Sequence, residues 1–303
     1  MTTTIYVPDI ECDSCVRLIG RRLAGKGITG YTITGDILLL EDSEKANDVI
    51  KEIKSLGFRA STSPFDRKSF KERFRDFREN KEKYQTEREG IETALGVFGL
   101  LAAITIVAYV GFLNRIPNFL HNYGWWLFYL LIAITAIGAA LWHYTAYRAK
   151  FTCMVGMMVG MTFGMQTGMM LGAIIGATNG FFIGSMIGML IGTAAGVVTG
   201  KCCGVMGIME GMMAGVMGGT MGPMISVMMF SDHLLWFMPF FMLINIVIII
   251  GLSYLLFEEV VEQNKEIIRK PADFLTVASL SIIAAFLLGA LMLYGPTSAL
   301  LTF

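Results

Sequence analysis

The chain has 303 residues, 54% hydrophobic and 16% charged, against about 25% charged in an ordinary soluble domain, which argues against a water-soluble globular protein. Lys plus Arg equals Asp plus Glu at 24 each, so no charge excess points to nucleic acid or to an acidic partner. Five Cys over this length make no disulfide scaffold, and the first pair, Cys12 and Cys15, has a Cys-x-x-Cys spacing that suits metal or redox chemistry.

Residues 1–62 read as a small soluble domain, because strand-like and helix-like periods alternate in short segments. Met1 to Thr4 lacks the basic and apolar regions of a signal peptide. Thr3 to Val7 alternates like a strand, and Val16, Ile19 and Leu23 repeat like a helix. Tyr31 to Ile33 and Ile37 to Leu40 read as strands about a Thr34-Gly35-Asp36 turn. Ala46, Val49, Ile50, Ile53 and Leu56 form a second helical stripe ended by Gly57, and a short last strand is expected near Phe58 to Ser61. The order predicts an α+β, ferredoxin-like βαββαβ plait.

Residues 61–90 hold nine Lys or Arg and seven Asp or Glu, with Phe70, Phe74, Phe77 and Tyr84 at helical spacing. They predict a charged amphipathic linker helix over 63–90, packed on the soluble domain or lying on a membrane surface. From Ile91 to Phe303 the chain reads as an all-α polytopic membrane domain, with segments near the ~20 residues that cross a bilayer. Seven spans are expected, at 91–113, 124–147, 151–175, 178–199, 204–229, 234–257 and 274–297, with Asn179-Gly180 as the turn between the third and fourth. Of seven Lys and Arg after residue 90, an inward-facing amino terminus puts Arg148, Lys150, Lys201, Lys265, Arg269 and Lys270 on the cytoplasmic side and only Arg115 outside. A cell-membrane protein with a cytoplasmic amino-terminal domain follows, and Cys12, Cys15, Cys153, Cys202 and Cys203 all fall at or near that side.

Thiolates are soft ligands, and two of them three residues apart at a helix start can grip one ion. The run Val7-Pro8-Asp9-Ile10-Glu11-Cys12-Asp13-Ser14-Cys15, between a first strand and a first helix, resembles a heavy-metal-associated domain over about residues 3–62, as does the Gly57-Phe58 pair. The resemblance implies a plait whose Cys12 and Cys15 bind a soft ion such as Cu(I) in an exposed loop. The chain has Asp9-Ile10 where the family commonly has a Gly-Met pair.

Glycine recurs at every fourth position from Gly156 to Gly204 without a miss, the small-residue spacing that lets transmembrane backbones approach closely, here a glycine zipper. Within the same Gly/Met-rich core, 151–229, lie 18 of the 22 Met. Met157, Met161, Met165 and Met169 each follow one of the glycines, and Met206, Met209, Met213, Met217, Met221, Met224 and Met228 advance by close to the ~3.6 residues of a helical turn. Projected at about 100° per residue, these methionines share a face with Glu210, Cys202 and Cys203, roughly opposite Gly207, Gly211, Gly215, Gly218 and Gly222. Met either fills irregular gaps or offers thioethers to Cu(I) or another soft ion. The Met-x-x-x-Met and Gly-x-x-x-Gly spacings are similar to those of Ctr-type copper transporters, whose three spans per subunit differ from the count here. Glu210 is the only acid between residues 151 and 229 and is the candidate for proton coupling.

No nucleotide-binding loop, P-type ATPase phosphorylation motif, Ser-His-Asp set or zinc-protease motif is present, so an enzyme is not expected. The expectation is a protein of the lipid bilayer that moves a soft metal ion, most readily Cu(I). Its cytosolic domain would exchange metal with Cys153, Cys202 and Cys203, a metallochaperone would be its cytosolic partner, and the Gly-rich helices would support a homo-oligomer. A membrane-anchored metal sensor or chaperone scaffold without transport is the alternative, and the Cys202-Cys203 pair raises a mercury transporter as another.

Overall fold

The computed structural model describes residues 3–8, 10, 13–28, 30–40, 46–56, 58, 60–63, 85–111, 113–115, 118–147, 153–229, 232–261 and 274–296. Contacts divide the chain into two compact units, one within Met1–Lys83 and the other within Tyr84–Ala149 and Cys153–Phe303. Most of the expected linker helix, and Cys12, lie outside the described residues.

The first unit runs β1 (Thr3–Tyr6), α1 (Asp13–Ala24), β2 (Tyr31–Thr34), β3 (Ile37–Leu40) and α2 (Ala46–Ser55). The sheet has the order β1-β3-β2 with both pairs antiparallel. Gly35 turns the β2–β3 hairpin with φ of 58°, a left-handed conformation that glycine adopts without strain. Alternation sets the buried face: Leu38 and Leu40 point inward while Leu39 is exposed. Ile5, Ile19, Leu23, Val49 and Ile53 complete that core, and each such fully buried side chain contributes about 1.5–3 kcal/mol of apolar burial. Among the described residues the fourth strand expected at Phe58 to Ser61 is reduced to one antiparallel bridge, Tyr6 to Ser61, and the described part of the unit is a three-stranded sheet with two helices.

The described helices of the second unit are α3 (Gln85–Gly111), α4 (Phe119–Ala146), α5 (Cys153–Asn179), α6 (Phe181–Gly200), α7 (Gly204–Met228), α8 (Leu234–Val261) and α9 (Phe274–Tyr294), with short 3-10 turns at Leu113–Arg115 and Lys201–Cys203. Six apolar helical stretches among the described residues are long enough to cross a membrane. One of them, Phe181–Met228, is α6 and α7 folded into a hairpin, so the described residues supply seven long helices. Hydrogen bonds fix the ends. Glu87 at the start of α3 meets His143 and Tyr147 at the end of α4, and Tyr144 bonds to Thr199 near the end of α6. At the opposite end Asn179 donates to the carbonyls of Leu291 and Pro296 beyond α9, at 3.1 and 3.2 Å.

Helices α5, α6 and α7 form a triple helix around converging glycines. Antiparallel α6 and α7 place Gly196 on Gly211 and Gly200 on Gly207, while α5 runs parallel to α7 with Gly164 on Gly211 and Gly168 on Gly219. A Cβ added at any of these positions would meet backbone at under 3.0 Å, which is why no larger residue fits and why the period of four persists. Pro223 inside α7 is accommodated the same way, its ring resting on Gly172 and Gly176. Helices α4 and α8 also pack on α5, leaving it the most enclosed of the described spans.

Candidate metal centre

The glycine repeat also shapes the thiol site. α6 ends at Gly200, a 3-10 turn carries Lys201, Cys202 and Cys203, and Gly204 restarts the chain as α7 with φ of 68° and ψ of −152°. That break rotates the two cysteines off the α7 surface and over α5. Their sulfurs stand 3.6 Å apart, above Gly156, whose missing side chain leaves the room: a Cβ there would lie 2.6 Å from the Cys202 sulfur and closer still to that of Cys203. The projection onto the methionine face therefore fails for Cys202 and Cys203, because the helical phase of α7 does not extend through Gly204.

The Cys202 thiol donates to the Thr199 carbonyl at 3.5 Å, and the Tyr144 hydroxyl donates to the same oxygen at 2.9 Å, which sets Tyr144 beside both thiols. Cys202 is exposed and Cys203 half-buried, and neither is in a disulfide. Cys153 opens α5 one turn before Gly156, so its backbone belongs to the same end of the triple helix; its side chain lies outside the described residues. With metal–sulfur bonds of about 2.3 Å, sulfurs 3.6 Å apart subtend roughly 100° at an ion. That angle is far from linear and leaves room for a third ligand, for which Cys153 is the candidate. Among the described residues no three His, Cys, Asp or Glu side chains already converge on one point.

In the first unit Cys15 sits in the first turn of α1, half-buried against the core. The methionines lie outside the glycine core. Met161 is 47% and Met213 62% exposed; Met206, Met209 and Met217 are exposed too, and Met157, Met165 and Met169 are half-buried. Close glycine contact fills the axis of the triple helix, so these thioethers line no passage inside it. Glu210 shares their side of α7, half-buried, with no hydrogen bond or ion pair among the described residues. The glycine faces expected to join copies of the chain are already occupied within it. At the other end Asp232 and His233 form an exposed pair at 3.8 Å.

Tyr144 and Thr199 carry no motif, and Gly156 is marked only as the first glycine of the repeat, since their roles at the thiols arise only when α4, α5 and α6 meet. A scan against protein-family models and searches of curated proteins and of solved structures return no match. The functional reading thus rests on the residues themselves.

Proposed function

We propose that the chain is a membrane protein that binds a soft metal ion, Cu(I) first among them, and passes it across the bilayer. The amino-terminal domain, read as a heavy-metal-associated plait, would take up the ion at Cys12 and Cys15 and exchange it with Cys153, Cys202 and Cys203 on the cytoplasmic side. The observation that carries this reading is the pair of thiols 3.6 Å apart over Gly156, a soft donor set at the end of a membrane-spanning triple helix. Thioethers on the outer faces of α5 and α7 would be the onward ligands, many weak sites in series suiting conduction. Because those faces point outward, a path along them exists only where a second copy or another protein covers them.

The same exposure of Met161 and Met213 favours a second reading, a membrane-anchored metal sensor or chaperone scaffold in which nothing crosses. Cu(I) flux into proteoliposomes under an imposed potential separates the two. The transport reading expects flux that is lost both in Cys202→Ser/Cys203→Ser and in Met209→Leu/Met213→Leu/Met217→Leu. Metal held by the full chain without flux supports the scaffold, and failure of Cys202 and Cys203 to hold metal overturns the transport reading. Competition between Cu(I) and Hg(II) for the thiols tests the mercury alternative.

A further inference from the structure

Cys202 and Cys203 are neighbours in the chain, and their sulfurs stand 3.6 Å apart. A disulfide is about 2.05 Å long, so closing one asks the sulfurs to approach by roughly 1.5 Å, which side-chain rotation and a small change of the turn can supply. The turn has that latitude on one side only. Gly200 is held against the Gly207 carbonyl, whereas a Cβ on Gly204 would meet nothing within 4 Å. Gly204 also takes φ of 68° and ψ of −152°, a conformation open to glycine at no steric cost. Cys202 is exposed and Cys203 half-buried, so the outer sulfur is open to a reagent and the inner one stands in reach of the outer.

Consecutive Cα atoms are about 3.8 Å apart across a trans peptide, while disulfides ordinarily join Cα atoms about 4.4–6.8 Å apart. A bond between neighbours is therefore strained, and strained or exposed disulfides have the higher potentials of labile bonds rather than structural ones. The thiolate is the metal-binding form of cysteine, so one such bond removes both donors at once.

We propose that Cys202 and Cys203 are a reversible modification site, closing to an intramolecular disulfide that takes both sulfurs away from a soft metal. The metal half of this switch rests on the function proposed above; the bond itself does not. The oxidant is a low-molecular-weight disulfide. The Cys202 sulfur attacks it as the thiolate, forming a mixed disulfide and releasing the first thiol. The Cys203 sulfur then attacks that of Cys202, forming the intramolecular bond and expelling the second thiol. Two electrons pass from the cysteines to the oxidant, and the two cysteine protons end on the two released thiols. Cys153 opens α5 at the same end of the triple helix, so a bond from it to either sulfur is the competing product.

The test uses full-length chain carrying Cys12→Ser and Cys15→Ser in lipid nanodiscs, equilibrated with mixtures of reduced and oxidised glutathione, blocked with an alkylating reagent and read by peptide mass spectrometry. The expected product is a bond between Cys202 and Cys203, unalkylated at both sulfurs, with Cys153 alkylated and the dithiol restored by dithiothreitol. In Cys203→Ser the second step is lost, and Cys202 should retain a glutathione adduct instead. Alkylation of both cysteines in every mixture overturns the proposal. So does a bond from Cys153 to either sulfur, or a glutathione adduct on Cys202 that persists with Cys203 present. Ag(I) titration after removal of glutathione reads the metal half separately, with binding expected in the reduced chain and its loss in the oxidised one. A disulfide that forms in a chain whose reduced state binds no Ag(I) overturns the metal reading, and equal binding in both states overturns the switch.

Discussion

The sulfur of Cys202 stands 2.6 Å from the point where a side chain on Gly156 would begin. One methyl group at residue 156 therefore displaces both thiols, while the atoms it strikes are side-chain ends rather than backbone. In a chain carrying Cys12→Ser and Cys15→Ser, Gly156→Ala is expected to weaken Ag(I) binding about tenfold or more, ~1.4 kcal/mol, with helical content unchanged. An unaltered affinity in a competition titration would remove the thiol pair from the site.

Backbone contact has a different consequence. A Cβ on Gly196 or Gly211 would run into the facing helix's carbonyl carbon and oxygen, and neither strand of that hairpin can retreat alone. Gly196→Ala and Gly211→Ala should each destabilise the helical unit by about 2–3 kcal/mol or more, read as a lower midpoint of thermal unfolding in detergent. Gly99 and Gly251 have nothing within 4 Å. There the same change is expected to be neutral, or to stabilise by up to about 1 kcal/mol through helix propensity.

Asn179 closes the far end of the triple helix. It is 6% exposed, accepts from Thr178 and donates to two carbonyls at the end of α9. Asn179→Ala leaves those carbonyls without this donor, a loss of about 1–3 kcal/mol. Hydrogen exchange should show it as faster opening of the last turn of α9, with α4 unaffected; uniform loss of protection would contradict a local lock.

In the first unit the Lys26 ammonium, with the Arg22 guanidinium at 2.9 Å, holds the Glu52 carboxyl below the usual carboxylate range. A lowered folded-state value means that the stabilisation is present above the unfolded carboxylate's pKa and is lost as pH falls through the folded one. Protection of the strand amides should therefore decline with acidification across that window. Glu52→Gln should flatten this dependence, and an equal decline in the variant would exclude the pair as its source.

Much of this architecture can be read from residue spacing. Glycine at every fourth position names the buried face of α5, α6 and α7, and the methionines between them necessarily face elsewhere. Spacing says which residues share a face but not what covers it, so it does not separate thioethers that line a passage from thioethers on the outer faces of α5 and α7, where Met161 and Met213 stand. The apolar run Ile37 to Leu40 after the Thr34-Gly35-Asp36 turn marks β3 correctly, whereas the last strand, too short to carry a period, shrinks to the Ser61 bridge. α3 starts at Gln85 rather than at Ile91, because Tyr147 and His143 give Glu87 company that hydropathy cannot register. That cluster joins residues 56 positions apart along the chain, a separation no local motif spans.

Gly180, between α5 and α6, and Gly204, the first residue of α7, fall on the same count of four as the packing glycines, although both have φ above zero. The count therefore sets chain length as well as contact: helix and turn together occupy whole multiples of four residues. A single inserted or deleted residue in α6 would shift every later glycine by about 100° and leave the returning helix facing methyl groups and thioethers instead of bare backbone. Such a segment can change by substitution on its outer faces, or by gain or loss of whole four-residue blocks, while its rhythm stays fixed.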